Sequence, residues 1–229
     1  MSVSTSRQIF LLSPAHCGGK RAGYLLNENA QFALARRFHS PQAAPLGEVF
    51  SFLSGLYFRG KLGYAARFAR PPRGAGGACV ITSNRGLLPP ETPVSPADLR
   101  AFGGTDISSD DPEYRLPLER DARALLEACG GRRPACRYVL LGSVATGKYV
   151  DVLAEVFGER LVFPPEFAGR GDMSRGGLML RCADAREELP YVPVLGGARR
   201  GRRPPKLAPR AAVNGLGDVG STRGRSGRR

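Results

Sequence analysis

Six short apolar runs, each bounded by turn-forming residues, punctuate the chain: QIFLLS (8–13), ACVITS (78–83), RYVLLG (137–142), RLVF (160–163), GLMLRC (177–182) and YVPV (191–194). Their length and their β-branched and aromatic content predict strands. The stretches between them carry a helical period. YLLNENAQFALARRF (24–38) sets Leu25, Phe32 and Ala35 near one face and ends on Arg36 and Arg37, where cations complement the helix dipole. GEVFSFLSGLYFRGKLGYAARFA (47–69) is apolar but interrupted by Gly55, Gly60 and Gly63, so it reads as two helices or one kinked helix. PLERDARALLEAC (117–129), opened by Pro117 and followed by Gly130, is a clear amphipathic helix, and YVDVLAEVFG (149–158) is another that stops at glycine. Strands alternating with helices predict an α/β three-layer sandwich around a mainly parallel central sheet. No internal repeat is visible.

Composition changes this picture at the C-terminus. Of the net charge of +14, residues 195–229 hold ten Lys/Arg against Asp218 alone, which leaves a modestly basic body. That Arg/Gly/Pro-rich segment has no apolar period and predicts a disordered basic tail following a single α/β domain over residues 1–194. The tail either attracts nucleic acid by neutralising phosphates or is a solvated end without a specific partner. A length of 229 residues at 42% hydrophobic suits one sizeable domain. No apolar run reaches the roughly 18–20 residues of a membrane span, and the N-terminal run is too short for a signal-peptide core, so no membrane partner and a cytoplasmic location are expected. Five cysteines without a C-x-x-C pair, together with only His16 and His39, predict neither a disulfide framework nor a metal site. Cys17 is expected to be a small buried filler.

Candidate chemistry concentrates in the loops that follow strands. In an open parallel sheet, ligands bind beyond the carboxyl ends of the strands. SPAHCGGKR (13–21), SNRGLLPPETP (83–93) and GSVATGK (142–148) should therefore meet on one rim. The last of these, with Tyr149, is one letter short of the phosphate-cradling G-x-x-x-x-G-K-[ST] pattern. Tyr149 stands where a small hydroxyl would hold magnesium, and no strand downstream ends in Asp, so a magnesium-dependent NTPase ranks last among the readings. A milder reading keeps an anion at the helix N-terminus, assisted by Ser143, Thr146 and Lys148. The alternative is a plain strand–helix connection whose Ser and Thr cap the helix. Gly18 and Gly19 allow close backbone approach, while Lys20 and Arg21 supply charge for phosphate or carboxylate. AGRGDMSRGGLML (168–180) presents Arg170, Asp172, Ser174 and Arg175 as a polar lid or wall. Asp172 is the candidate general base or substrate-orienting group, with a salt bridge to Arg170 or Arg175 as the alternative. Tyr57, Phe58 and Tyr64, around Arg59 and Lys61, are expected in the core rather than as base-stacking platforms.

The order IFLLSPAHCGGKR … LYFRGKLGYAARFA … VITSNRGLLPPETPVSPADL … YVLLGSVATGKYVDVLAEVF resembles a family of bacterial and phage α/β domains. Members show a Gly-Lys-Arg turn, a Leu-Phe-Arg-Lys-Leu-like helix and a Ser-Ala-Lys-Tyr-Gly-Leu-Leu-x-Pro strand. More distantly the chain is similar to the uracil-DNA-glycosylase-like domain of archaeosine synthases and to the YaaA peroxide-stress proteins. The likeness spans roughly residues 8–163. It implies a pocket for a nucleobase, nucleotide or nucleic acid lined by Gly19, Lys20, Arg21, Arg59 and residues 83–88. Asn84-Arg85 departs from the family's Lys-Tyr, and GRGDMSRGG has no counterpart in it. Residues and resemblance together predict a nucleotide- or base-processing enzyme without a bound cofactor. In it Lys20, Arg21, Arg85 and Lys148 hold phosphate or a polar base edge, and Ser13, Ser143 and Thr146 orient the ligand. The alternative is a non-catalytic nucleic-acid-binding protein that uses the basic tail and rim.

Overall fold

The computed structural model describes residues 6–131, 136–145, 147–205 and 207. In chain order its elements are β1 (Arg7–Leu12), α1 (Lys20–Leu26), α2 (Ala33–Phe38), β2 (Ala44–Pro45), α3 (Leu46–Ser54), α4 (Leu56–Phe68), β3 (Ala78–Ile81), β4 (Leu87–Leu88), β5 (Pro93–Val94), α5 (Pro96–Gly104) and α6 (Pro112–Ala128). After these come β6 (Cys136–Leu141), α7 (Lys148–Phe157), β7 (Leu161–Phe163), α8 (Asp172–Ala185) and β8 (Val192–Pro193).

The main sheet runs β4-β3-β1-β6-β7-β8. Its four central strands are parallel, and only the edge strands β4 and β8 run antiparallel to their neighbours. β2 and β5 form a separate two-stranded antiparallel pair. Along β1 the side chains alternate between two cores, as a pleated strand covered on both faces requires. Phe10 and Leu12 pack with residues of α1 to α4 and with Met179 of α8, whereas Ile9 and Leu11 pack with α6 and α7. The molecule is therefore the three-layer α/β sandwich that the alternating pattern predicts.

Several elements depart from the sequence reading. The single helix expected over 24–38 is two, because the Asn27 side chain accepts a hydrogen bond from the Asn29 backbone N–H at 3.0 Å and turns the chain. The 47–69 stretch resolves into α3 and α4 at Gly55, whose φ of +57° suits glycine best. Pro117 does not open α6. Asp111 caps that helix by accepting from the Glu113 N–H at 2.9 Å, and Pro112 follows the cap. The largest correction concerns 177–182, read as a strand but part of α8, as is most of the loop expected over 168–180. Gly176 and Gly177 look like breakers in sequence, yet at Gly176 α8 crosses α4 so closely that only glycine fits. A Cβ on Gly176 would lie 2.8 Å from the Leu56 carbonyl oxygen, and one on Gly60 would lie 2.7 Å from the Gly176 oxygen.

Of the tail expected to be disordered over 195–229, residues 206 and 208–229 lie outside the described residues. Where residues 195–205 are described, Arg199 lies 3.7 Å from the Asp151 carboxylate and residues 201–202 run against Gly169.

Candidate functional site

In β3-β1-β6-β7 the chain moves to one side of β1 and then returns to the other, so the topological switch point lies between β1 and β6. Leu12 pairs with both Val80 and Leu141, so β3, β1 and β6 come level at their carboxyl ends. The loops after β1 and β6 then lead to helices on opposite faces and leave a crevice between them. A cleft of about 490 Å³ occupies that crevice, lined among others by Ser13, His16, Tyr57, Ser143, Lys148 and Arg175. It shares Pro14, Ala15, His16, Ile107 and Lys148 with a narrower cleft of about 180 Å³ that extends towards Ser83 and Cys17. Loops following β1, β3 and β6 thus do meet along one rim.

The unusual group in this region is Lys61. In α4, Tyr57, Lys61, Tyr64 and Phe68 recur at i, i+4, i+7 and i+11, so the lysine occupies the face that packs into the core, and all four are buried. Lys61 has no exposed surface. Its Nζ lies 2.7 Å from the Ser13 carbonyl oxygen and 2.7 Å from Ser13 Oγ, and it sits 4.0 Å from the centre of the Tyr57 ring. Among the described residues it forms no salt bridge. Burial therefore dominates and pulls the amine down to a pKa of about 7; the Asp172 charge opposes this and the Arg175 charge adds to it, both as smaller effects. An amine with that pKa is partly neutral at physiological pH.

Around it stand three groups that face the same cleft. Arg175 of α8 is buried, and its Nε and one terminal nitrogen both donate to the Phe167 carbonyl oxygen, at 3.2 and 3.1 Å. The other terminal nitrogen reaches Asp172 Oδ1 at 3.4 Å, across a pair whose carboxylate is largely exposed. A guanidinium has five N–H groups, so donors remain for a ligand. Tyr57 also lines the cleft; its hydroxyl is buried beside the Arg175 guanidinium without a hydrogen bond of ordinary geometry, and burial keeps the phenol protonated. Tyr114 and Tyr138 also lack partners, but they lie in the core. Tyr149, the residue that breaks the phosphate-loop pattern, is buried and donates to the Ser143 carbonyl oxygen at 2.9 Å. That bond turns a carbonyl, not an N–H, towards the inside of the loop. Gly142 is required beside it, because a Cβ there would fall 2.7 Å from Ser13 Cβ and 2.8 Å from the Tyr149 hydroxyl.

The residues singled out in the sequence divide into groups. Ser13, Ser143, Lys148, Asp172 and Arg175 line the main cleft, and Ser83 lines the adjoining one, where its hydroxyl donates to the Phe102 carbonyl oxygen at 2.8 Å. Arg21 and Arg59 line a different cleft beside α3, and Arg21 donates to the Phe52 carbonyl oxygen at 3.1 Å. Gly19 and exposed Lys20 begin α1 and line neither part of the rim cleft. Asn84 and Arg85 turn towards α6, and Arg85 pairs with Asp98 at 3.0 Å instead of facing a ligand. Arg170 is held within its own segment by the Glu166 carbonyl oxygen at 2.9 Å and Ser174 Oγ at 3.1 Å, so it forms no wall of the cleft. Thr146 lies outside the described residues. Cys17 is buried, and desolvation raises its thiol to about 12, which keeps it protonated. The sequence reading missed Lys61, Tyr57 and Tyr149 as site residues. A lysine inside an otherwise apolar i, i+4, i+7, i+11 stripe was the signal available for the first.

Among the described residues no group of three or more His, Cys, Asp or Glu could hold a metal ion, and no helix is long and apolar enough to cross a membrane. Fold and cleft together define a doubly wound α/β protein with a polar crevice at its switch point. No protein-family model, no curated protein and no solved structure matches the chain.

Proposed function

We propose that the switch-point cleft binds a small anionic ligand of the nucleotide or nucleobase class and processes it. The observation that carries this reading is the convergence on one cleft of the Arg175 guanidinium, the Lys148 ammonium and the Tyr57 hydroxyl, with Ser13 and its buried lysine at the floor. Each is a donor suited to phosphate oxygens or to a polar base edge. The N-termini of α7 and α8 open at the same place and add positive potential. A magnesium-dependent NTPase has the least support, since Tyr149 closes its own loop onto Ser143.

Titrating the full chain with nucleoside monophosphates and with inorganic phosphate by calorimetry tests the proposal. Lys148 is exposed and can be changed without loss of packing, so Lys148→Ala should weaken binding about tenfold, the value of one charge-assisted contact. Replacing Arg210, Arg223, Arg225, Arg228 and Arg229 with Gln should leave that affinity unchanged. If these tail substitutions abolish binding to single-stranded nucleic acid, flatten its salt dependence, and the cleft binds neither probe, the reading passes to a tail-driven nucleic-acid-binding protein.

A further inference from the structure

Ser13 and Lys61 are arranged for more than ligand binding. Lys61 is sealed from solvent and does not line the cleft, whereas Ser13, which it contacts, is one of the lining residues. Lys61 Nζ donates to both the Ser13 carbonyl oxygen and Ser13 Oγ, each at 2.7 Å; when the amine gives up a proton, the carbonyl contact still engages one N–H and the freed lone pair is within reach of the Ser13 hydroxyl. A bridging cation is a costly way to join a strand to a helix, because desolvating an ammonium without a carboxylate is unfavourable. A nucleophile–base pair needs that desolvation.

We infer that Ser13 is a nucleophile and Lys61 its general base, and that the cleft cleaves esters whose acyl or alkyl part carries a phosphate or carboxylate. The substrate's anionic group rests on the binding reading above; the nucleophile does not. Ser13 Oγ attacks the ester carbonyl carbon while its proton passes to the Lys61 lone pair. The carbonyl π electrons move onto oxygen, where the Tyr57 hydroxyl, buried in the cleft lining, is one donor for the developing charge. Collapse of the tetrahedral intermediate re-forms the carbonyl and breaks the bond to the leaving alkoxide, which takes the proton from the Lys61 ammonium. Water then repeats the sequence: it gives a proton to Lys61, attacks the Ser13 ester and releases the acid, and Ser13 Oγ recovers the proton. No metal or redox partner enters the balance. The amine's pKa near 7 makes the free base plentiful at neutral pH.

The test is covalent labelling of the full chain with an uncharged alkyl fluorophosphonate, read by intact mass and peptide mapping. The expected result is a single phosphonyl adduct on Ser13, absent from Ser13→Ala, with a labelling rate that rises with pH to a plateau around a midpoint near 7. Lys61→Met, checked for folding by near-UV circular dichroism, should label at least about 100-fold more slowly. Should Lys61→Met fail to fold, the wild-type pH profile decides: a rate still climbing above pH 9 overturns Lys61 as the base. No adduct on Ser13 in the folded protein, or equal labelling of folded Lys61→Met, overturns the inference. Because the probe carries no anion, Ser13 labelling and phosphate titration of the wild-type chain are separate readouts, and failure of one proposal is distinguishable from failure of the other. Labelling without any anion binding by wild type retains the nucleophile and removes the assigned substrate class.

Discussion

The crossing of α4 over α8 is where the site is most open to mechanical test. Gly60→Ala adds a Cβ that would sit 2.7 Å from the Gly176 carbonyl oxygen, 2.9 Å from its Cα and 3.2 Å from its carbonyl carbon. All three are backbone atoms and cannot rotate away. Ordinary contact begins near 3.4 Å, so the helices must separate by about 0.7 Å at this point, the difference between 3.4 and 2.7 Å. Overpacking of this kind costs about 1–3 kcal/mol, and the rigid neighbours favour the upper end. Alanine returns up to about 1 kcal/mol of helix propensity. The net loss is about 1–2 kcal/mol, a fall in Tm of roughly 2–8 °C for a chain of this size. Gly23→Ala is the control: it too lies inside a helix, with nothing within 4 Å of the added atom, and should raise Tm by about 2–4 °C. Thermal unfolding followed by far-UV circular dichroism reads both. The separation also moves Tyr57 and Lys61 away from Arg175, so Ser13 labelling should slow in the same variant. A Gly60→Ala protein that melts at or above the wild-type temperature would refute the close-crossing argument.

Two further predictions concern charge. Lys61 binds its proton more weakly in the folded chain, at about 7, than in the unfolded one, at about 10.5, so between those values the unfolded state holds more protons and stability rises with pH. From pH 6 to pH 8 the gain should be on the order of 1 kcal/mol in urea titrations, and Lys61→Met should abolish that slope; a wild-type stability that falls over this window contradicts a desolvated amine. At the opposite end of the sheet, Glu188 meets Arg70 at 2.9 Å and accepts from buried Gln8. Burial pushes its carboxyl up, but the hydrogen bonds from Arg70 and Gln8 outweigh it and hold the pKa below the ordinary value. This contribution is present above the unfolded carboxyl's pKa and is lost as pH falls through the folded one. Glu188→Gln should therefore cost about 1–2 kcal/mol at pH 7 and much less near pH 3, measured by chemical denaturation, and an equal cost at both values would remove the ionic explanation.

The strands that could be read from the chain are those whose burial is set by their own composition. RQIFLL, ACVI, CRYVLL and LVF are apolar on both faces because helices cover both. From those strands alone the rim followed, and with it Ser13, Ser83, Ser143 and Lys148. α8 was illegible for the opposite reason. Its Gly176 answers to a neighbour some 115 residues earlier in the chain, and only that contact makes glycine favourable at this point of a helix. Arg85 and Arg21 misled because a loop cation carries no record of whether a carboxylate or a carbonyl will take it. Asp98, fixed in the capping box with Ser95, takes Arg85, and the Phe52 carbonyl takes Arg21.

The chemistry of the cleft accordingly depends on helix packing more than on the glycine-bearing loops that first drew attention to it. The Gly60–Gly176 approach holds α8, with Arg175 and Asp172, against the helix that carries Tyr57 and Lys61, and Lys61 is sealed from solvent there. Without that seal the amine would return to an ordinary lysine's pKa, protonated and useless as a base. With it, a partly neutral amine is held under a serine at the switch point, beside the cleft that Lys148 and Arg175 line. GSVATGKY fits this division of labour: Tyr149 gives up the phosphate cradle by closing on Ser143, and in exchange it supports Gly142 against Ser13. A loop that held phosphate in its own backbone would need that volume empty. The packing observed here makes Ser13 rigid instead, as a nucleophile that must meet its base at 2.7 Å requires.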